Sequence, residues 1–327
     1  MGRQKGKDLF VKRLLKIKAS YPLLFGIFGY KIGYSISPLL HNKTAKALNL
    51  DFCYSKFDVK PDDFPSAFNG FKALKLKGAN ITKPYKEVVL KYLDKLSKES
   101  SFIGAVNTVN LQRDGSYMGY NTDSAGFVNS IDFEFGAGLK DKNIILMGAG
   151  GASKAILYSA IKEGAKNVFI INRDIDRVFG LFNKALSWAK EMKAKTLLNY
   201  SDFTSFTSLR RENGLSSLAR DQGKSFTPFK CHYDLFRNCD IIISAITPSE
   251  GAAQAIQNLP LNCINKDSLA MDIAYNPVVT PFMRLVQKRG IKCVNGLSML
   301  VFQAIESFYI WTGKRVDFDF MVSAAKQ

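Results

Sequence analysis

The sequence predicts an α/β chain in two parts, the second a doubly wound parallel sheet, and three observations carry that expectation. From residue 143 onward, short apolar runs of strand length alternate with helix-length stretches, the order that builds βαβ units. Between the first such run and its helix stands Gly148-Ala149-Gly150-Gly151-Ala152-Ser153. That is the strand–turn–helix setting in which backbone N–H groups hold a pyrophosphate at a helix N-terminus. The first third of the chain alternates as well, but it carries a hairpin signal, Asp114-Gly115, foreign to a purely parallel sheet.

Taken in order, residues 22–29 read as a strand, and Ser37-Pro38 opens a helix to about residue 48. Ser37 is expected as its N-cap and Pro38 at its first helical position. Residues 51–59 are strand-like, 61–74 helical and 78–81 a short strand. Pro84 is then expected to start another helix, with Lys86 in its first turn. Runs 106–111 and 116–120 flank the hairpin turn, and a helical pattern returns from Asp123 to about residue 133. In the second part, strand 143–147, turn 148–151 and helix 152–163 lead to strands 167–171, 240–245, 268–273 and 291–294. Residues 298–311 form an apolar helix. Between 186 and 238 the alternation weakens, and Ser, Thr, Arg and Gly crowd 201–227, so an insertion or long loop is expected there.

The 327 residues, 46% of them apolar, suffice for two cores. The expected division is a basic extension over 1–20, a first domain over 21–122 and a second over 123–298. A net charge of +18 raises nucleic-acid binding, but the excess is mostly lysine spread along the whole chain. A solvated surface that draws in anionic ligands, with no nucleic-acid partner, is the expectation. No apolar run reaches the ~18 residues of a membrane span, so no membrane partner is expected. Residues 1–20 suit a basic amphipathic helix, with an organellar presequence or surface anchor as the alternative; Gly6 breaks a myristoylation motif. Five cysteines without a C-x-x-C pair suit a reducing cytoplasm, and two histidines are too few for a His-based triad or a histidine-rich metal centre.

Four segments before the glycine turn carry the chemistry: Ser35-Ile36-Ser37-Pro38, Gly78-Ala79-Asn80-Ile81-Thr82, Gly104-Ala105-Val106-Asn107-Thr108 and Asn121-Thr122-Asp123. They offer hydroxyl and amide groups fit for a small polyol. Lys86 and Asp123 are the candidate proton handlers, since carbonyl reduction needs a donor at oxygen; on composition alone Lys86 is one surface lysine among many. Ser35 and Ser37 point the same way in an extended segment and can hold a carboxylate, while Ser37 can equally cap its helix. Asn80, Thr82 and Asn107 suit ring hydroxyls or ordinary turn capping. At the end of the second strand of the second part, Asn172-Arg173 with Arg177 suits the 2′-phosphate of NADP, whereas Asp174 leaves NAD open.

In their order along the chain these segments resemble shikimate dehydrogenases, including the quinate/shikimate relatives. The likeness also rests on Pro84 and Lys86, Asp272-Ile273-Ala274-Tyr275, and Gly296-Leu297-Ser298-Met299-Leu300 with Gln303. It runs from about residue 24 to 325, leaving out the N-terminal extension and 186–238. The resemblance implies NADPH-linked reduction of 3-dehydroshikimate to shikimate, within aromatic amino-acid biosynthesis, by a monomer or homodimer. It makes Lys86 and Asp123 the catalytic pair and places Ser35, Ser37, Tyr275 and Gln303 around the substrate carboxylate. Asn80, Thr82, Asn107 and Asp123 would meet its hydroxyls. Cofactor contacts fall to Gly148, Ala149, Gly150, Gly151, Ala152, Asn172, Arg173 and Arg177, with Gly296 and Met299 near the nicotinamide. It implies a substrate-binding first domain, completed by about 299–327 as the C-terminal helix packs back on it, and a Rossmann-type second domain. Two places depart from the family pattern. Lys31-Ile32-Gly33-Tyr34 stands in place of Pro-Ile-x-His, and Asp174 stands where Thr or Ser is usual.

Overall fold

The computed structural model describes residues 22–203 and 232–326; the expectations for residues 1–20 and for most of 201–227 lie outside them. The first sheet begins with β1 (Leu23–Gly29), helix α1 (Ser37–Ala47) and β2 (Phe52–Asp58). Helix α2 (Phe64–Ala73), β3 (Gly78–Ile81), β4 (Lys95–Leu96) and helix α3 (Lys98–Ile103) follow. β5 (Thr108–Leu111) and β6 (Tyr117–Tyr120) then form the hairpin, and the strand order is β2-β1-β3-β5-β6-β4. β1 pairs parallel with β2 and β3, whereas β5 runs antiparallel to both β3 and β6. Phe28, Phe64, Phe68 and Phe71 fill an aromatic core on one face of this sheet.

Helix α4 (Asp123–Phe135) leads to the second sheet, which runs β7 (Asn143–Met147), α5 (Gly151–Lys162), β8 (Asn167–Asn172), α6 (Ile175–Glu191) and β9 (Leu197–Asp202). It continues with α7 (His232–Arg237), β10 (Ile241–Ser244), α8 (Glu250–Gln257), β11 (Leu269–Asp272), α9 (Pro281–Gln287) and β12 (Lys292–Val294). All its pairings are parallel and the order is β12-β11-β10-β7-β8-β9, as the doubly wound expectation requires. Along β7, Ile144 and Leu146 enter one core and Ile145 and Met147 the other, so the strand is apolar on both faces.

The chain ends with α10 (Leu297–Thr312) and α11 (Phe318–Lys326). α10 packs along α4 and reaches the first sheet, where the Trp311 indole N–H donates to the Val109 carbonyl at 2.9 Å. α11 lies on α1. Among the described residues no helix is long and apolar enough to cross a membrane.

Three expectations need correction. Ser37 is the first helical residue of α1, not its cap; Ile36 holds the cap position and no side chain bonds there. Its own N–H is taken by the Ser35 hydroxyl at 3.3 Å, and Ser37 lines the cleft described below. No helix starts at Pro84: residues 83–87 form a turn with a cis Lys83–Pro84 bond, followed by a 3₁₀ turn over Val88–Tyr92. The carbonyl that a helix would pair locally instead accepts across the lobe, from Val106 N–H to Lys86 O at 2.8 Å, and Tyr85 is buried against Phe64. The supposed insertion over 186–238 is too wide, because α6, β9 and α7 all enter it. β9 is an edge strand with a half-exposed, polar end, so it lacks the apolar run that marks its inner neighbours.

Candidate active site

A cleft of about 1010 Å³ lies beyond the carboxyl ends of β3, β7, β10 and β11. In doubly wound sheets ligands bind in that region. Lys86 projects from the turn after β3, and its ammonium donates to Asp123 Oδ2 at 2.5 Å. Asp123 is the first residue of α4, where unpaired N–H groups and the helix dipole favour a carboxylate. Its other oxygen, Oδ1, accepts from the Asn107 amide at 2.8 Å. The Asn107 amide also donates to Thr122 Oγ1 at 2.8 Å, while Asn107 Oδ1 accepts the Thr122 N–H at 2.7 Å. The hairpin thus fixes the carboxylate, and the carboxylate fixes the ammonium at the cleft wall.

Behind this pair lies a buried polar layer. The Tyr54 hydroxyl donates to Asn80 Oδ1 at 2.7 Å, and the Asn80 amide donates to the Asn107 carbonyl, Thr108 Oγ1 and Ser307 Oγ at 3.0–3.2 Å. Asn80 reaches the cleft, but its amide is largely engaged within the protein. Burial pushes the Tyr54 hydroxyl well above its ordinary value, so it remains a proton-bearing donor. His41 caps nothing. It stacks on Tyr54 at 4.5 Å, and burial lowers its imidazole to about 3, which keeps it neutral and outside the chemistry.

At one end of the cleft, Ser35 Oγ donates to Ser37 Oγ at 3.2 Å. Burial, reinforced by Tyr34, pushes the Tyr275 hydroxyl up to about 12, against the lowering influence of the neighbouring Ser35. Ser37, Thr82 and Tyr275 line the cleft, as do Asn107, Lys86 and Asp123. Gln303, on α10, lines it too and accepts from the Asn107 amide at 3.3 Å. Ser35 lies just behind Ser37 and does not itself line the space.

The opposite wall is mostly backbone. Gly148 has φ +121°, and a Cβ there would meet the Ala245 carbonyl oxygen at 2.8 Å, so this turn requires glycine. Ala149, Gly150, Gly151 and Ala152 line the cleft, with Gly148 beneath them. A Cβ on Gly151 would lie 3.1 Å from Lys86 Cβ, so the glycine turn touches the lysine stem. Ser153, in place of a third fingerprint glycine, is fully buried, with its hydroxyl under the turn. Gly296 abuts the loop after β11: a Cβ there would fall 1.9 Å from the Ile273 carbonyl oxygen. That closeness brings Gly296 and Met299 to the cleft.

Of the residues expected around a 2′-phosphate, only Arg177 lines the cleft. Asn172 ends β8 and its amide donates to the Asp174 carbonyl at 3.4 Å, while the Arg173 guanidinium lies toward Gly251 in α8. Asp174 is the N-cap of α6: its Oδ1 accepts from the Asp176 and Arg177 N–H groups at 3.1 Å, and its Oδ2 lies 3.3 Å from Arg177 Nε. Sequence reasoning missed Lys154 and Lys184, which also line the cleft. Arg177, Gly180 and Lys184 are spaced as one helix face, a legible signal. Burial and the neighbouring Lys154 lower the Lys184 ammonium from its ordinary value. Lys154 pairs with Glu87 at 2.6 Å, a contact between α5 and the Lys86 turn that no local pattern announces.

Three family models match in chain order. Residues 27–109 match the shikimate dehydrogenase substrate-binding domain, 132–209 the shikimate/quinate 5-dehydrogenase model, and 296–326 the shikimate 5′-dehydrogenase C-terminal domain. The chain is 36% identical over 306 residues to a shikimate dehydrogenase (NADP(+)) of Caldanaerobacter subterraneus, covering 91% of this chain and 94% of that one. Among solved structures it is similar to shikimate 5-dehydrogenase of Listeria monocytogenes in complex with shikimate and NAD (TM-score 0.75, 27% identity, 94% and 97% covered). It is also similar to the Thermus thermophilus enzyme in complex with NADP(H) and shikimate (TM-score 0.68, 27% identity, 93% and 98% covered). The three matching models, and a relative that aligns along nearly its whole length, lead to one conclusion: this chain belongs to the shikimate dehydrogenase family.

Proposed function

We propose that this protein is an NADP-dependent shikimate dehydrogenase, reducing the keto group of 3-dehydroshikimate to the hydroxyl of shikimate and catalysing the reverse. The carrying observation is the Lys86–Asp123 pair, held at the cleft wall in contact with the glycine turn. The turn fits a dinucleotide: side chains are absent where a pyrophosphate would lie, and α5 presents its N-terminus there. Bound NADPH would supply the hydride that reduces the carbonyl carbon.

The Lys86 ammonium delivers the proton to the carbonyl oxygen, and in the oxidative direction the Lys86 amine takes the proton from the hydroxyl. Asp123 orients that ammonium and accepts from a ring hydroxyl, with Asn107 holding it in place. Thr82 and Asn80 flank the ring; Ser37, with Ser35 behind it, Tyr275 and Gln303 hold the carboxylate. Ala149–Ala152 would cradle the pyrophosphate above Gly148, and Arg177 would meet the 2′-phosphate, with Asn172 and Arg173 outside the cleft lining. Gly296 and Met299, which line the cleft, would back the nicotinamide. In this reading residues 21–122, completed by about 299–327, form the substrate domain and 123–298 the NADP domain. The four described cysteines are free thiols, which suits a cytoplasmic monomer or homodimer acting on small molecules rather than nucleic acid.

A second reading, NAD or quinate use, draws support from the Asp174–Arg177 pair, which competes for the cation a 2′-phosphate needs. Steady-state oxidation of shikimate and of quinate, each with NADP and with NAD, tests both. Turnover of shikimate with NADP should dominate. Comparable rates with quinate or NAD would favour the second reading, and no turnover in any pairing would refute both.

A further inference from the structure

The cleft holds a cation that the proposed mechanism leaves unused. Lys83 lines it, as do Thr82, Tyr34 and Tyr275. Its backbone is pinned: the Lys83 carbonyl accepts the Tyr30 N–H at 3.1 Å, and the adjoining Thr82 N–H donates to Phe28 at 2.9 Å. The ammonium sits 5.9 Å from the centroid of the Tyr34 ring, which lies 6.0 Å from the Tyr275 ring. Tyr275 in turn contacts Ser35, which bonds Ser37. This chain of neighbours carries the hydroxyls of Tyr34, Tyr275, Ser35 and Ser37 and one positive charge, that of Lys83.

Resting on the proposed activity, we infer that Lys83 is a substrate-selecting residue whose ammonium pairs with the substrate carboxylate held by Ser35, Ser37 and Tyr275. Those three groups are neutral; by themselves they hold an anion without compensating its charge. Lys86 and Lys154, also on the cleft, already have Asp123 and Glu87. Among the described residues Lys83 joins no ion pair. Lys83 is exposed at the cleft, and partial burial lowers its ammonium from the ordinary value with no counter-ion to offset it. A carboxylate arriving at the serines supplies that counter-ion through a charge-assisted contact.

The test compares shikimate with its uncharged carboxamide in the wild-type protein, Lys83→Met and Lys83→Arg. In K83M the KM for shikimate should rise about tenfold with kcat nearly unchanged, the KM for the carboxamide should stay constant, and K83R should retain most of the shikimate affinity. Without any variant, added salt should raise the wild-type KM for shikimate more than for the carboxamide. An unchanged shikimate KM in K83M, an equal rise for both compounds, or identical salt responses would overturn the inference. Absence of shikimate turnover in the wild type would count against the proposed activity instead. Equilibrium binding of shikimate and of its carboxamide to wild type and K83M then reads the Lys83 contact directly.

Discussion

The two walls of the cleft are built on opposite principles. On the first-sheet side, function resides in side chains whose polar atoms are committed to one another: Lys86 to Asp123, Asp123 to Asn107, Asn107 to Thr122, and Asn80 to Tyr54 and Ser307. On the second-sheet side the surface is backbone, shaped by Gly148 and the start of α5, with cations standing at its margin on α6. The first wall is preorganised for charge that develops during reaction; the second is shaped to admit a ligand that brings its own charge. Substitution within the committed Lys86–Asp123–Asn107 network should therefore act on turnover, and substitution on the second wall on recognition.

The largest effect should come from the first wall. Lys86→Ala removes the proton donor and should lower kcat about a thousandfold, with a much smaller change in shikimate binding. Steady-state kinetics with an equilibrium binding measurement separates the two, and a variant with near-normal turnover would break the comparison.

A group between the walls sharpens it. Asp272, at the end of β11, accepts from the Thr280 hydroxyl at 2.6 Å and the Ala274 N–H at 3.0 Å, bracing the loop that carries Tyr275. Burial lifts its carboxyl from an ordinary 3.8 to about 6, outweighing those hydrogen bonds. Between these values the folded chain keeps a proton that the unfolded chain has released. The group's contribution to stability is thus fully present below pH 4 and lost as pH rises through 6. Relative to Asp272→Asn, wild-type stability in urea titrations should fall by about 3 kcal/mol across that window. A difference independent of pH would show that the carboxylate is better solvated than its surroundings imply.

The smallest effect belongs to the second wall. Arg177→Ala should raise the KM for NADPH about tenfold and leave NADH nearly unaffected. Arg173→Ala, whose side chain lies outside the cleft lining, provides the contrast. Equal losses for the two cofactors in R177A would remove Arg177 from the 2′-phosphate.

What could be read from the sequence divides along the same line. The glycine turn was legible because its demands are local: a strand, a left-handed residue and a helix start follow one another directly. Lys86 and Asp123 were legible as candidates, but their contact depends on how a turn and a helix meet. Lys86 escaped the helix expected at Pro84 because its carbonyl bonds a distant strand and Tyr85 is pulled into the core. Local propensity yields to such tertiary bonds most readily at working sites. β9 was absorbed into a supposed insertion because an edge strand needs a partner but no apolar run. Lys83 and Lys154 stayed hidden among many lysines, since only the cleft distinguishes them from solvated ones.

α10 and its N-cap bring Gly296 and Met299 to one wall and Gln303 to the other, with Ser307 bonded behind it to Asn80. Along the chain these groups come after every described strand of both sheets, so the pocket draws its last wall from residues distant in sequence from its first. α10 therefore acts as a keystone: one helix completes both walls, and the pocket exists only when it is seated between them.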